Sequence, residues 1–310
     1  MSYLKAFGSY LPSRVVHNEE IGAMVGSSAE WIYNVSGIEE RRFAAEGETV
    51  ADMAVAAARE CLASSGMGPA DIGMALVASG SSERRFPGPA ASVARQLGLD
   101  GVPSIDLPLA SAGSLFGMAL ASTLAAAYGN ILVVAAEKMS AVVMKQPMNP
   151  STSVLFGDGA GACLVSSQAG MARIVDSALY TDGSFTEDLK LELDGPLEMN
   201  GRTVILQASR KIPRAIEELL EKRRRKAAEV ACFLMHQANQ NLIVRVADAL
   251  GVAAGKFYSN IRQYGNTSSA SMLIAAAEWQ KESGFAPNVP VVFATFGAGF
   301  HWGALLAEGC

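Results

Sequence analysis

Short apolar runs of strand length recur along the chain and alternate with longer stretches whose apolar residues fall at helical spacing. The strand-like runs lie at 73–79, 130–136, 160–166, 229–235, 290–295 and 303–307. Helical patterns lie at 49–65, 88–97 and 112–128. A further one is expected after Pro213, at 214–226. Alternation of this kind predicts an α/β protein. It also repeats. In the first half, strand 73–79 is followed by a polar loop, a helix, the run Asp106-Leu-Pro-Leu-Ala-Ser-Ala-Gly-Ser that opens an Ala-rich helix, and strands 130–136 and 160–166. In the second half, strand 229–235 leads into His236-Gln-Ala-Asn-Gln and a helix. Tyr264-Gly-Asn-Thr-Ser-Ser-Ala-Ser then opens another Ala-rich helix, and strands 290–295 and 303–307 follow. The expectation is two related halves, 1–170 and 171–310, whose functional loops meet at one interface. The irregular segment 181–203 reads as an excursion covering the core.

Composition narrows the picture. Half of the 310 residues are hydrophobic and thirty are glycine, enough for a large core in which helices lie close on a sheet. The net charge of −5 argues against general nucleic-acid binding, which requires a basic surface. The longest apolar stretch, 115–128, is too short for a membrane span and reads as a buried helix. The N-terminal residues lack a signal-peptide pattern. Cys61, Cys163, Cys232 and Cys310 are far apart, without metal-ligand or redox spacing. A reduced, cytoplasmic protein without metal or cofactor is expected.

Few residues are candidates for chemistry. Of three histidines, His17 lies in a polar stretch and His301 sits between Phe300 and Trp302, where a packing role suffices. His236 directly follows an apolar strand, the end of an α/β strand where reactive groups are usually placed. Asn266 and Ser111 each lie where a small-residue turn enters a helix, and capping alone would account for either. They nevertheless occupy corresponding places in the two halves, with His236 at the end of a third core element. Phe156-Gly-Asp-Gly-Ala-Gly161 and Phe296-Gly-Ala-Gly299 are neither phosphate nor dinucleotide loops, and the second suits a backbone N–H aimed at an oxyanion. The dense basic run 222–226 reads equally as a solvated helix end or as a dock for an acidic partner.

These residues belong to a recognisable set. SYLP at 9–12, EWI at 30–32, GIEER at 37–41, ETV at 48–50, FPG at 86–88 and SAG at 111–113 follow in order. FGDGAG at 156–161, HQAN at 236–239, GNTS at 265–268 and FGAGFHWG at 296–303 complete the series. Across nearly its full length the chain resembles the β-ketoacyl-acyl-carrier-protein synthase III family. The resemblance implies a thiolase-like fold, two αβ halves in an α-β-α-β-α layering. It implies acyl transfer from an acyl-coenzyme A or acyl-carrier-protein thioester and condensation with malonyl-carrier protein, for fatty acid or polyketide starter units. The family's histidine and asparagine fall on His236 and Asn266, and its nucleophilic cysteine falls on Ser111. Oxyanion donors are implied at the N–H groups of Ser111 and Ala298, within the loop Gly297-Ala298-Gly299. Trp31 matches an aromatic near the coenzyme A adenine, and Phe86 a residue reaching into a partner subunit's acyl tunnel, which implies a homodimer.

The departures bear on substrate and mechanism. Val35 and Pro150 stand where the family often grips coenzyme A with arginine, and Asn241 where an arginine often docks the carrier protein. Arg210, Lys211, Arg214 and Arg245 remain as candidates for docking. Serine, unlike cysteine, requires an adjacent base, a role expected of His236. The oxyester that serine forms is less electrophilic than a thioester, so condensation should slow, whereas decarboxylation requires only His236 and Asn266. Three accounts of Ser111 follow: a natural branch with unusual starter units or an oxygen or nitrogen acceptor, an engineered replacement of cysteine, or a non-catalytic partner subunit. Retention of both His236 and Asn266 speaks against the last.

Overall fold

In a computed structural model, residues 1–193 and 195–310 are described. Asp194, within the expected excursion, lies outside them. Among the described residues, nine strands form one continuous sheet. Across it they run Cys232–Met235, Pro290–Gly297, His301–Gly309, Ala172–Thr181, Ser2–Tyr10, Asp158–Ser166, Asn130–Lys138, Met74–Ala78 and Ser104–Leu107. On one side Ser2–Tyr10 pairs antiparallel with Asp158–Ser166, which pairs antiparallel with Asn130–Lys138, which runs parallel to Met74–Ala78. On the other, Ala172–Thr181, His301–Gly309, Pro290–Gly297 and Cys232–Met235 repeat that sequence of pairings. The two series are hydrogen-bonded to each other where Ser2 to Leu4 pair with Ala172 to Ile174.

Alternation along the strands builds the layers. Val133 and Ala135 face the central core while Leu132 and Val134 face an outer one, because successive strand side chains point to opposite faces. The central layer is a pair of helices, Gly113–Tyr128 and Ser271–Glu282, packed between the two halves of the sheet. Phe7 from one half stacks near Phe293 of the other, with ring centroids 6.0 Å apart. Helices Val50–Ser65 and Pro89–Leu97 cover one outer face, and Gly201–Lys222 and Gln240–Ala249 the other. This is the α-β-α-β-α layering expected. Close helix–strand approach depends on glycine. A Cβ on Gly8 would lie 2.3 Å from the Cys61 nitrogen and 2.4 Å from the Ala57 carbonyl oxygen. Gly8→Ala is therefore expected to cost about 1–3 kcal/mol by forcing helix and strand apart, read as a lower urea midpoint. An unchanged midpoint would show that the layer spacing tolerates a methyl group.

The helix expected after Pro213 instead spans Gly201–Lys222 with Pro213 inside it. Asn200 caps its start by accepting from the Thr203 N–H. Ala208, Ile212, Ile216 and Leu219 line a buried stripe through the proline. Burial of that stripe offsets the roughly 3 kcal/mol that an internal proline costs. The excursion at 181–203 is correspondingly shorter and carries the small strand pair Leu189–Leu191 and Leu197–Met199. No helix among the described residues is long and apolar enough to cross a membrane.

Candidate active site

Ser111 lies in the turn between the strand Ser104–Leu107 and the central helix Gly113–Tyr128. Its φ of 60° is left-handed, a conformation that non-glycine residues adopt at a cost of about 1–3 kcal/mol and that concentrates at functional sites. The turn is held from above by Gly297, where a Cβ would lie 2.2 Å from the Ala110 carbonyl oxygen. His236 directly follows the strand Cys232–Met235, its N–H bonded to the Ala294 carbonyl. Gln237 anchors this strand end by donating to the carbonyls of Met235 and Tyr258 and accepting from Asn260 N–H. Asn239 caps the helix that follows. Asn266 is fixed by a bridge to the glycine loop: its N–H donates to the Leu155 carbonyl, and its own carbonyl accepts from Gly157 N–H. The Asn266 side-chain oxygen accepts from Ser268 N–H at 2.8 Å, which leaves its NH₂ group as the end available to the cavity.

Ser111, His236 and Asn266 line one largely apolar cavity, walled by Phe156, Phe296 and the helix Gly201–Lys222. A second cavity runs from Ser111 past Gly80, Met139, Leu197 and Ala298. Ser111, Phe156 and Leu189 thus stand where the two meet. Three residues distant in sequence are brought together as the two halves close.

Other residues take different places. Ser111 makes no hydrogen bond to His236. Its N–H donates to Ser268 Oγ at 3.1 Å, and its hydroxyl lies 3.5 Å from the same atom. Trp31 is 44% exposed on the helix Ala29–Ser36, and Phe86 is 86% exposed; neither lines these cavities. Val35 and Pro150 are exposed, and the Asn241 side chain donates to the carbonyls of Asn34 and Val35. Gly299 has φ 132° and turns the chain against the His301 ring. Of the basic candidates, Lys211 pairs with Asp182 at 2.8 Å and lies over the Trp302 ring, and Arg214 pairs with Glu218. Arg210 and Arg245 are exposed and form no ion pair among the described residues. In the run 222–226, Lys222 and Arg223 pair with Asp176, and Arg225 pairs with Glu308. Much of its charge is met within the chain, so the solvated-helix-end reading is the better one.

No cysteine lines either cavity. Burial pushes the thiols of Cys61 and Cys163 well up, and that of Cys232 up to about 12, so none is a ready nucleophile. Residues that the motifs did not single out complete the site. Buried Glu137 accepts from the hydroxyls of Ser81 and Ser269, each at 2.6 Å, tying the loop before Phe86 to the loop of Asn266. The serine-rich spelling of 268–271 is the one signal the sequence carried for this network.

The family models for 3-oxoacyl-[acyl-carrier-protein] synthase III match residues 105–183, and for its C-terminal part residues 220–308. The chain is 36% identical to β-ketoacyl-[acyl-carrier-protein] synthase III of Nitratidesulfovibrio vulgaris, covering 98% of both. The identity to the Staphylococcus aureus enzyme of the same name is 32% over 97% of both. The chain belongs to the synthase III family. It is an acyltransferase of the ketosynthase III type with the thiolase-like fold. The crystal structure of the Aquifex aeolicus synthase III superposes with a TM-score of 0.95 at 35% identity, covering 99% of this chain and 100% of that one. The priming β-ketosynthase of the R1128 polyketide pathway does so with a TM-score of 0.92 at 30% identity, over 100% of this chain and 96% of that one.

Within this synthase III, burial pushes the His236 imidazole down from 6.5 to about 4. It is therefore neutral at neutral pH. Its folded value lies below its unfolded value, so the unfolded chain binds the extra proton between about pH 6.5 and 4. Stability is complete above pH 6.5 and falls across that window, by about 3 kcal/mol for this residue. His236→Gln is expected to flatten the acid limb of a urea-denaturation series over the same window. An unchanged acid limb would place the loss on other groups.

Proposed function

We propose that Ser111 takes an acyl group from a thioester, its hydroxyl proton leaving with the released thiol, and that His236 and Asn266 hold the enolate formed when malonyl-carrier protein loses carbon dioxide. Condensation of the two gives a 3-oxoacyl-carrier protein, as a starter unit for fatty acid or polyketide synthesis. The observation that carries this reading is the convergence of Ser111, His236 and Asn266 on one cavity from three separate elements. A nucleophile between two apolar cavities suits an acyl chain on one side and a carrier arm on the other. The N–H groups of Ser111 and Ala298 are the proposed oxyanion donors. That role requires the Ser111 N–H to exchange its present acceptor, Ser268 Oγ, for the acyl oxygen. Gly297 and Gly299 let this loop approach the reacting carbonyl.

The donor is an acyl-coenzyme A or acyl-carrier-protein thioester, and the exposed ring of Trp31 is available to a coenzyme A adenine. Exposed Arg210 and Arg245 sit on the two outer helices that wall the cavity, the place for an acidic carrier protein to dock. Lys211 and Arg214 contribute less, being paired already. A cytoplasmic homodimer is proposed. The edge strand Ser104–Leu107 leaves one side without a strand partner, and Phe86 projects into solvent. Two halves divided at residue 170 are proposed, supported by the pairing pattern that restarts with the strand Ala172–Thr181. The lack of a base hydrogen-bonded to Ser111 favours a slow first half-reaction, which supports the second reading of a partner to an active paralogue, while the low electrophilicity of a serine ester supports transfer to an oxygen or nitrogen acceptor.

Intact-protein mass spectrometry after exposure to acyl-coenzyme A and acyl-carrier thioesters tests this. One acyl adduct, mapping to Ser111, is expected. An adduct on a cysteine, or none with any donor, would remove Ser111 as the acyl acceptor.

A further inference from the structure

Ser271, the first residue of the central helix Ser271–Glu282, is 1% exposed and touches both sides of the strand end that carries His236. Its Oγ lies 2.6 Å from His236 Nδ1 and accepts the Gln237 N–H at 3.0 Å. The Gln237 side chain is pinned at both ends, so this peptide donor has a fixed direction. A hydroxyl has one proton to give. Among the described residues, Ser271 Oγ has no acceptor within reach other than Nδ1. Were Nδ1 protonated, Oγ would receive two N–H donors and its own proton would be buried without an acceptor, a costly arrangement. The Ser271 hydroxyl therefore donates to Nδ1. A neutral imidazole carries one proton, which then sits on Nε2.

We propose that Ser271 is a positioning residue that sets His236 as an Nε2–H donor facing the cavity. The inference rests on the reading of His236 and Asn266 as the enolate-holding pair. Ser268 N–H turns the Asn266 amide so that its NH₂ faces the cavity, and Ser271 O–H turns the His236 proton the same way. Two N–H donors then meet the thioester oxygen of a malonyl group. When its carbon–carboxylate bond breaks, carbon dioxide leaves and the electron pair passes into the enolate, whose oxygen the two donors hold; no proton moves in that step. In this tautomer Nε2 does not accept the Ser111 proton, which agrees with the lack of a hydrogen bond between the two side chains.

Nitrogen-15 NMR of protein labelled at histidine tests the assignment directly. Three histidines are present, and His17→Gln and His301→Gln variants identify the His236 signals. Protonated Nε2 and unprotonated Nδ1 are expected in the wild type at neutral pH. Ser271→Ala should lose that bias and show both tautomers. Its malonyl-carrier decarboxylation should fall by roughly tenfold in kcat with KM little changed, and Ser271→Thr should restore both readouts. A wild-type His236 protonated on Nδ1 overturns the proposal without any variant having to fold. So does Ser271→Ala keeping a pure Nε2–H tautomer and full decarboxylation. His236→Ala and Asn266→Ala separate the two levels. If they leave decarboxylation intact, the enolate-holding reading itself fails; if they abolish it while Ser271→Ala changes nothing, only the role of Ser271 falls.

Discussion

Replacing Ser111 by alanine is expected to abolish the covalent acyl adduct and lower condensation by at least about a thousandfold, while malonyl-carrier decarboxylation continues. The substitution removes one hydroxyl at a strained turn and leaves His236, Asn266 and the loop Gly297-Ala298-Gly299 in place. The enolate half requires two donors and an apolar cavity, and both survive. Ser111→Cys should act in the opposite direction. A thiol at the start of the helix Gly113–Tyr128 ionises in part without a base, assisted by the positive end of the helix dipole. Its thioester is also more electrophilic than the serine ester, so condensation should rise by roughly tenfold or more. If the serine serves an oxygen or nitrogen acceptor, the cysteine variant gains condensation without gaining that transfer. Single-turnover assays with radiolabelled acyl thioester separate the steps. Full condensing activity in Ser111→Ala would show that no covalent step occurs at this residue, and the mechanism would have to be abandoned.

The second large effect is expected at the donor pair. On the proposed mechanism, His236→Ala and Asn266→Ala each remove one N–H that would hold the developing enolate oxygen. Each should lower malonyl decarboxylation by about a hundredfold to a thousandfold, the usual loss when one donor leaves an oxyanion site. The losses should not add in the double variant, because one remaining donor already holds the oxygen poorly. Adduct formation at Ser111 should respond less to Asn266→Ala, since that side chain makes no hydrogen bond to the serine. Carbon dioxide release from malonyl-carrier protein is the measurement. Loss of the adduct with decarboxylation intact, in either variant, would reverse the roles assigned to the two half-reactions.

The sequence by itself determined the α/β class, three strands in each half and the identity of Ser111, His236 and Asn266 as candidates. Apolar runs of five to seven residues punctuated by glycine and serine leave little choice of element. The match of HQAN and GNTS to known motifs singled out residues that propensity alone would have read as caps. Local pattern failed where a long-range effect outweighed it. The helix Gly201–Lys222 runs through Pro213 because its apolar stripe finds a sheet face to cover, and a window on the sequence does not contain that face. The strands Ser2–Tyr10 and Ala172–Thr181 carry mixed residues, and their places between better-patterned neighbours make them strands.

Charge and hydrogen bonding were decided only by the tertiary structure. The basic run 222–226 has the same spelling whether it faces a partner or its own chain, and Asp176 and Glu308, distant in sequence, meet it. Ser268 and Ser271 look alike within one serine-rich turn. One reaches Ser111 across more than 150 residues of chain, and the other reaches His236 across 35. Which atom of a histidine holds its proton depends on the last few tenths of an ångström around a single hydroxyl. That is fixed by how the Ser271 helix seats against the strand end of His236, a packing relation that no stretch of sequence spells out.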